Sequence, residues 1–299
     1  MDEVLTMIVD DFLAYLRAEK NYSLLTQQSY GEDLLAFEKF FQQLDSTLQW
    51  ETIDADIVRD WMEEMMDKGN TATTINRRLS ALRSFYRFAL ARHYVTKDPV
   101  HSITGPKKAK PLPQFVKESE MDRLLDERHW EHTYKDVRAR TILMMFYVTG
   151  VRVSELVSLD DVMIDWVNSQ LKVTGKRDKQ RVIPFGQELG QALKSYIAFR
   201  DQEVERQDDA LFVTEKGCRM TTDKVRRLVN SYLIGVTTLK KRSPHVLRHS
   251  FATAMLNHDA GLESVKNLLG HQSLTTTEIY THTTFEQLKK VYKTAHPRK

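Results

Sequence analysis

Cysteine, long apolar runs and a basic leader segment are scarce or missing in this chain. The 299 residues include one cysteine, Cys218, so no intrachain disulfide can form and a reducing cytosol is the expected setting. The longest unbroken apolar run, 142–148, is far too short to cross a bilayer. The opening Met1-Asp2-Glu3 has none of the basic residues that begin a signal peptide. These features predict a cytoplasmic protein with no membrane partner, long enough for two domains.

Excess charge is also scarce overall, since the formal net charge is +3. Its distribution is nevertheless uneven. Acidic residues prevail in 1–67, whereas 68–110 contains ten Lys or Arg residues and one acid, Asp98. A local basic block of this kind fits a polyanionic partner such as nucleic acid, although basic helices that are merely solvated are common.

Apolar residues at helical spacing predict four helices in the N-terminal third, near 4–19, 26–44, 54–67 and from Thr71 onward. Because their connections are short and no strand pattern intervenes, they predict a small helical bundle. The fourth helix carries arginines around the sides that its apolar seam leaves free. These could straddle DNA phosphates or simply keep the helix soluble; they are Arg77, Arg78, Arg83, Arg87 and Arg92.

The clearest domain boundary is Gly105 to Pro113, where three prolines and three lysines favour an extended, charged linker. We therefore expect a helical domain over 1–105, a linker over 106–114 and a second domain over 115–299. For the second domain the pattern predicts helices near 117–128, 136–148, 187–206 and 222–233. It also predicts one β-hairpin, with strands 170–174 and 180–185 joined by a turn at 175–179.

Strong polar groups gather after Ser243, where a core helix should be apolar. Ser243 is a suitable N-cap and Pro244 a suitable first helical residue, so His245 and Arg248 would share one helical face. Taken singly, each is most simply a solvated side chain. His245 and His249 also have the i, i+4 spacing of a zinc-binding pair, but no Cys or carboxylate cluster lies nearby in the sequence.

Six residues in sequence order resemble the active-site set of the tyrosine recombinases, the lambda-integrase family. They are Arg152 within Thr-Gly-Val-Arg-Val-Ser-Glu-Leu, Lys176, His245 and Arg248 in His-x-x-Arg, His271 in Leu-Gly-His, and Tyr280. The resemblance covers nearly the whole chain. It implies a mainly α-helical protein with a small β-hairpin or sheet, built from an N-terminal SAM-like core-binding domain and a C-terminal catalytic domain. Within the family, the compact length and the residues around and after Tyr280 are similar to XerC-type bacterial recombinases.

The two arginines make chemical sense at a phosphodiester. The forks of Arg152 and Arg248 are permanently charged and can bind the two non-bridging oxygens, which takes over the electrostatic role of a metal. No cofactor is therefore expected. If the family arrangement holds, Glu155 lies close to Arg152 and His245 and orients the basic groups; an exposed Arg152–Glu155 ion pair of little energetic value is the simpler alternative.

The resemblance implies roles for the other four residues. Tyr280 is the implied nucleophile, which forms a 3′-phosphotyrosine and frees a 5′-hydroxyl. His245 would accept the phenol proton and Lys176 would protonate the departing 5′-oxygen. His271 would donate a further hydrogen bond to the phosphate.

The tail after Tyr280 carries an apolar stripe of Phe285, Leu288, Val291 and Tyr292. An intramolecular helix would explain it, whereas the family implies docking in trans on a neighbouring subunit. The resemblance also implies partners: double-stranded DNA with a dif-like site, a XerD-type recombinase or a second copy of the chain, and a division-linked DNA translocase as a further candidate. The implied role is resolution of chromosome dimers.

Three other functions fit parts of the pattern. An integrase of a phage or mobile element would share the chemistry, although no extra N-terminal arm-binding domain is evident. A type IB topoisomerase would relax supercoils without site preference. A non-catalytic DNA-binding protein would keep the arginine-rich fourth helix and need none of the six groups.

Overall fold

The computed structural model describes residues 2–108, 114–175, 180–270 and 285–298, but not the side chains of 2–6 and 285–288. The chain divides into two compact units, Met1–Pro111 and Leu112–Lys299. Helices dominate both units and one small antiparallel sheet lies in the second, which confirms the predicted fold class. The bounds 1–105, 106–114 and 115–299 stay a prediction, since linker residues 109–113 lie outside the described part. Among the described helices, none combines the length and apolar character of a membrane span.

The first unit is a bundle of four helices, as the apolar spacing predicts. They are α1 (Asp2–Ala18), α2 (Leu24–Leu44), α3 (Ala55–Asp67) and α4 (Ala72–Ala91). Three of them begin at a side-chain cap, because Ser23, Asp54 and Thr71 each accept a hydrogen bond from a backbone N–H of the first turn. The core is rich in aromatic rings, among which Trp50 contacts Phe85 with ring centroids 4.4 Å apart.

The second unit contains eight described α-helices. They are α5 (Glu118–Leu125), α6 (Tyr134–Thr149), α7 (Val153–Val157), α8 (Gln187–Glu203), α9 (Thr222–Ile234), α10 (Pro244–Asn257), α11 (Leu262–Leu269) and α12 (Phe285–Ala295). The apolar run 142–148 is the buried centre of α6, which packs against α8 and α10. Gly150 ends α6 in the left-handed conformation (φ 61°), and α7 follows at once.

The sheet has three antiparallel strands in the order β1 (Ile164–Asp165), β2 (Gln170–Thr174) and β3 (Gln180–Pro184). The predicted β2–β3 hairpin is confirmed, with Leu171 opposite Ile183 and Val173 opposite Arg181. Strand β1 was not predicted, because two residues are too few to show an alternating pattern. Residues opposite each other in the sheet share a face. Arg181 therefore lies on the same face as the buried side chains of Leu171, Val173 and Ile183.

Two predicted helices end earlier than their apolar spacing suggested. The helix expected over 117–128 stops at Leu125, because Asp126 is extended and its carboxylate accepts the backbone N–H of Arg128, starting a separate 3-10 turn. The helix expected over 187–206 ends at Glu203, where Val204 turns extended. Helix α11 was not predicted.

The C-terminal helix α12 packs within its own unit, against α10, α11 and β3. Tyr292, Ala295 and His296 are buried there, and the His296 ring lies 5.5 Å from Phe251 and 5.3 Å from Tyr292 between centroids. Of the two arrangements weighed for the tail, the single chain therefore adopts the intramolecular one. Docking in trans concerns an assembly and stays a prediction. The side chains of Phe285 and Leu288 lie outside the described residues.

Candidate active site

Helix α10 brings the His-x-x-Arg motif to the site. Pro244 is its first residue, and burial of Val246, Leu247, Phe251 and Met255 anchors the helix in the core. Ser243 holds the N-cap position, as predicted, but its side chain makes no capping hydrogen bond. The helix therefore depends on core burial, and this burial fixes the position of Arg248.

Arg152 and Arg248 come together although they are far apart in the chain. Arg248 is only 6% exposed, and it donates from Nη1 to the carbonyl oxygen of Gly150 and from Nη2 to that of Leu269, both at 2.5 Å. Arg152 donates from Nη2 to the carbonyl oxygen of Gly270 at 3.2 Å. The turn after α6 and the end of α11 thus hold both guanidinium groups through main-chain carbonyls.

Glu155 is the carboxylate at the centre of this arrangement. It is 1% exposed and accepts hydrogen bonds from Arg152, through the backbone N–H and through Nη1, at 2.8 Å each. It also accepts a two-pronged ion pair from Arg181, with Nη1–Oε1 at 2.5 Å and Nη2–Oε2 at 2.8 Å. Burial alone would raise the pKa of Glu155, but the hydrogen bonds from Arg181 and Arg152 lower this pKa to about 2. Glu155 is therefore ionised at every physiological pH.

The four groups leave positive charge in excess. Three guanidinium groups, those of Arg152, Arg181 and Arg248, surround the one carboxylate of Glu155. Burial, followed by the charges of Arg152 and Arg181, lowers the pKa of Arg248 to about 10. A phosphate bound beside Arg152 and Arg248 would offset this mutual repulsion. The side chain of Arg152 remains 30% exposed, which leaves it accessible from the surface.

His245 lies in the first turn of α10 and is exposed, one turn before Arg248. Partial burial of the ring, then the nearby His249, Lys241, Arg248 and Arg226, lowers the pKa of His245 below its ordinary value. The imidazole is therefore neutral near pH 7 and can accept a proton. Over the described ranges, no group of three or more His, Cys, Asp or Glu side chains could hold a metal ion.

Three of the six predicted catalytic residues lie outside the described residues: Lys176, His271 and Tyr280. Arg152, His245 and Arg248 lie within the described residues. The catalytic roles of all six stay predictions.

Arg181 is the member of the cluster that sequence analysis missed. A signal was present, because Arg181 stands two residues before Ile183 on β3 and so shares its strand face, which should be apolar. A charged side chain on that face must find a partner of opposite charge.

The arginines of α4 are less free than a helical wheel suggests. Arg77 pairs with the buried carboxylate of Asp33, and Arg78 lies 3.5 Å from the same group. Arg83 donates to the carbonyl oxygen of Ile103 at 2.6 Å, and Arg87 to that of Arg83 at 3.4 Å. These contacts fix the arginines in position. Contact with DNA by Arg77, Arg78, Arg83 and Arg87 stays a prediction.

Comparison with known proteins places both units in one family. The model of the phage integrase N-terminal SAM-like domain matches residues 9–93, and that of the phage integrase family matches 114–287. Tyrosine recombinase XerC of Pelotomaculum thermopropionicum is 37% identical, with 97% of this chain and 98% of the relative aligned. XerC of Staphylococcus saprophyticus is 39% identical, with 96% of each chain aligned. XerD of Oceanobacillus iheyensis is 34% identical, with 99% of this chain and 100% of the relative aligned.

Solved structures share the fold at lower identity. The Tn1549 transposon integrase in complex with a circular intermediate DNA matches with a TM-score of 0.73 at 19% identity, covering 96% of this chain and 98% of that one. XerH bound to a palindromic difH substrate matches with a TM-score of 0.70 at 22% identity, covering 94% of this chain and 83% of that one. The family matches and the full-length relatives together show that this chain belongs to the tyrosine recombinase, or phage integrase, family of DNA recombination enzymes.

Proposed function

We propose that this recombinase cuts and rejoins DNA at a specific site through a 3′-phosphotyrosine formed by Tyr280. The observation that carries the proposal is that Arg152 and Arg248 lie in one cluster, which contains three guanidinium groups and the carboxylate of Glu155. A phosphodiester gains negative charge on its non-bridging oxygens when it is attacked, so preorganised positive groups stabilise the transition state more than the ground state.

The remaining steps follow from proton balance. The Tyr280 oxygen attacks phosphorus and the bond from phosphorus to the 5′-oxygen breaks. Neutral His245 accepts the phenol proton, and Lys176 supplies a proton to the 5′-oxygen, which leaves as a hydroxyl. His271 donates a hydrogen bond to the phosphate. Because the new phosphotyrosine keeps the phosphodiester bond energy, the reverse attack by a 5′-hydroxyl reseals a strand without ATP.

The biological role that we propose is resolution of chromosome dimers at a dif-type site before cell division. The support is that relatives named XerC and XerD align with this chain over almost their whole length. We propose that the chain acts on double-stranded DNA together with a XerD-type recombinase or with further copies of itself. A division-linked DNA translocase would act on that assembly.

The nucleophile is tested with a nicked dif-like suicide substrate, on which the cut strand cannot be resealed. Wild-type protein should form a covalent protein–DNA adduct in EDTA, visible as a slower band in a denaturing gel. The Tyr280→Phe variant should form none, because a phenyl ring has no oxygen to attack phosphorus.

Tyr292→Phe provides the matched control, since it removes the hydroxyl of a tyrosine in the same C-terminal region and should still form the adduct. An adduct with Tyr280→Phe would refute the assignment of the nucleophile. Equal adduct formation on unrelated DNA would refute site specificity and favour a topoisomerase-like activity.

A further inference from the structure

Arg181 connects three parts of the second unit that contribute to the candidate site. It lies on β3, which pairs with β2. In the sequence, β2 is followed by Gly175 and by Lys176, the predicted general acid. Its guanidinium holds both oxygens of Glu155 on α7. Its Nε donates to the carbonyl oxygen of Leu268 at 3.2 Å, at the end of α11.

The contacts of Arg152 close this arrangement into a ring. Arg152 donates to Glu155 at 2.8 Å and to the carbonyl oxygen of Gly270 at 3.2 Å. Gly270 in turn packs directly on Arg181. Its φ is +63°, and a Cβ at this position would lie 3.1 Å from Cδ of Arg181. The positions of Arg152, Glu155, Arg181 and the main chain before His271 are therefore mutually dependent.

The orientation of Arg181 separates its role from that of Arg152. All three of its nitrogens donate inward, to Glu155 and Leu268, and its side chain is 16% exposed. Both of its η nitrogens are directed at one carboxylate, which is the two-pronged geometry of an arginine engaged with a protein group. Arg181 thus acts on the site through Glu155.

We propose that Arg181 is a positioning residue for DNA cleavage: it holds Glu155, and through Glu155 the fork of Arg152, in the geometry that binds the scissile phosphate. It also ties that fork to strand β3 and to the end of α11, through Glu155 and the carbonyl oxygen of Leu268. This inference rests on the proposed function.

Loss of the Arg181 fork should change two observables. Removing a residue that orients a metal ligand costs about 10- to 100-fold in activity, and we expect a loss of the same order for Arg181, which orients a phosphate-binding group. It should also change the pH dependence. Arg181 is the strongest of the groups that keep the pKa of Glu155 at about 2 against the effect of burial. Without Arg181 this pKa should rise, so that Glu155 becomes protonated as the pH falls into the assay range.

The experiment measures single-turnover cleavage of the nicked dif-like substrate by the full-length protein between about pH 5 and 8. We expect Arg181→Met to cleave about 10- to 100-fold more slowly at pH 7.5, with a new loss of rate towards acid pH. Combining it with Glu155→Gln should remove that new pH dependence, since no carboxylate remains to titrate. Arg181→Lys keeps the charge without the fork, so it should restore part of the rate and suppress most of the new acid loss.

Arg206→Met is the matched control. Arg206 forms a part-buried ion pair with Asp161 at 2.8 Å in the same unit, and its loss should leave the shape of the pH profile unchanged. A cleavage rate for Arg181→Met within twofold of wild type would overturn the inference. So would a loss of rate that is uniform with pH, because that is the effect of a purely structural residue.

Two further measurements keep the test decisive. If Arg181→Met fails to fold, Arg181→Lys is decisive alone: a rate within twofold of wild type would overturn the inference. A carbon-13 NMR titration of the Glu155 carboxyl group needs no activity, and an unchanged Glu155 pKa in Arg181→Lys and Arg181→Met would also overturn it. If wild-type protein forms no adduct, the proposed function fails, and that result differs from a failure confined to the Arg181 variants.

Discussion

At the scale of single residues, two buried arginines show how the site differs from the rest of the unit. Arg200 is fully buried, and although burial opposes it, hydrogen bonds from Arg200 to Asp161 and Asp201 raise the pKa of Arg200. Burial lowers the pKa of Arg248 instead, and the positive charges of Arg152 and Arg181 lower this pKa further, to about 10. Arg200 lies beside two acidic side chains, whereas the charged neighbours of Arg248 include two further arginines and one carboxylate, a set that suits an anionic ligand.

His245 gives a prediction at the same scale. Because its pKa is lowered, the neutral base persists to a more acidic pH than for an ordinary histidine of pKa 6.5. Single-turnover cleavage should therefore fall with decreasing pH through a midpoint below 6.5. His245→Gln should be slower by about 10²- to 10⁴-fold and should lose this dependence. A midpoint above 6.5 in the wild-type profile would contradict the role of His245 as base.

At the scale of elements, the turn between α6 and α7 aligns Arg152 and Arg248, the two arginines predicted to be catalytic. Gly150 follows the last residue of α6, its carbonyl oxygen accepts a hydrogen bond from Arg248, and Arg152 two residues later is the N-cap of α7. The positive φ of 61° suits glycine, and an added Cβ would lie 2.6 Å from Phe251 Cδ1 and 2.8 Å from Leu269 Cδ2. Backbone strain and overpacking thus exclude a side chain at Gly150.

Gly150→Ala should accordingly lower the free energy of unfolding by at least about 2 kcal/mol and reduce cleavage, because the carbonyl that holds Arg248 must shift. Denaturant unfolding and the single-turnover assay measure the two effects. Gly235→Ala is the matched control, since Gly235 has a φ of −81° and nothing within 4 Å of an added Cβ. That control should stay within about 0.5 kcal/mol of wild type. Equal stability of the two variants would contradict the packing argument.

At the scale of the whole molecule, the second unit includes its own C-terminal segment. His296 is 1% exposed between Phe251 and Tyr292, and its Nε2 lies 3.2 Å from the carbonyl oxygen of Tyr147. Arg298 forms ion pairs with Asp122 and Glu188. Helix α12 is therefore held in place by aromatic stacking, by the buried imidazole of His296 and by the two ion pairs of Arg298.

This docking should weaken in acid. Burial lowers the pKa of His296 from 6.5 to about 4, so between these values the unfolded or undocked chain binds a proton that the folded chain does not. The contribution of His296 is fully present above pH 6.5 and is lost as the pH falls towards 4, by up to about 3 kcal/mol. Unfolding measured from pH 7 to 4 should therefore show a shallower loss of stability for His296→Gln than for wild type. Parallel profiles would contradict the prediction.

The sequence alone determined the parts that depend on local order. Helical spacing of apolar residues determined the four-helix bundle, since this signal acts within one or two turns. Strand alternation determined the β2–β3 hairpin for the same reason. The ordered motif from Arg152 to Tyr280 determined the family, because that combination of residue types and order is specific.

Only the tertiary structure decided which groups meet. Arg152 and Gly270 are 118 residues apart, and Arg181 and Glu155 are 26 apart, so no local pattern contains either contact. Whether α12 packs on its own chain also depended on the fit of His296 between rings from distant helices. Pattern fixes which face of an element is buried, but the partner on that face is set by how the elements pack. For this reason the strand position of Arg181 indicates that it needs a partner of opposite charge, but only the fold identifies this partner as Glu155.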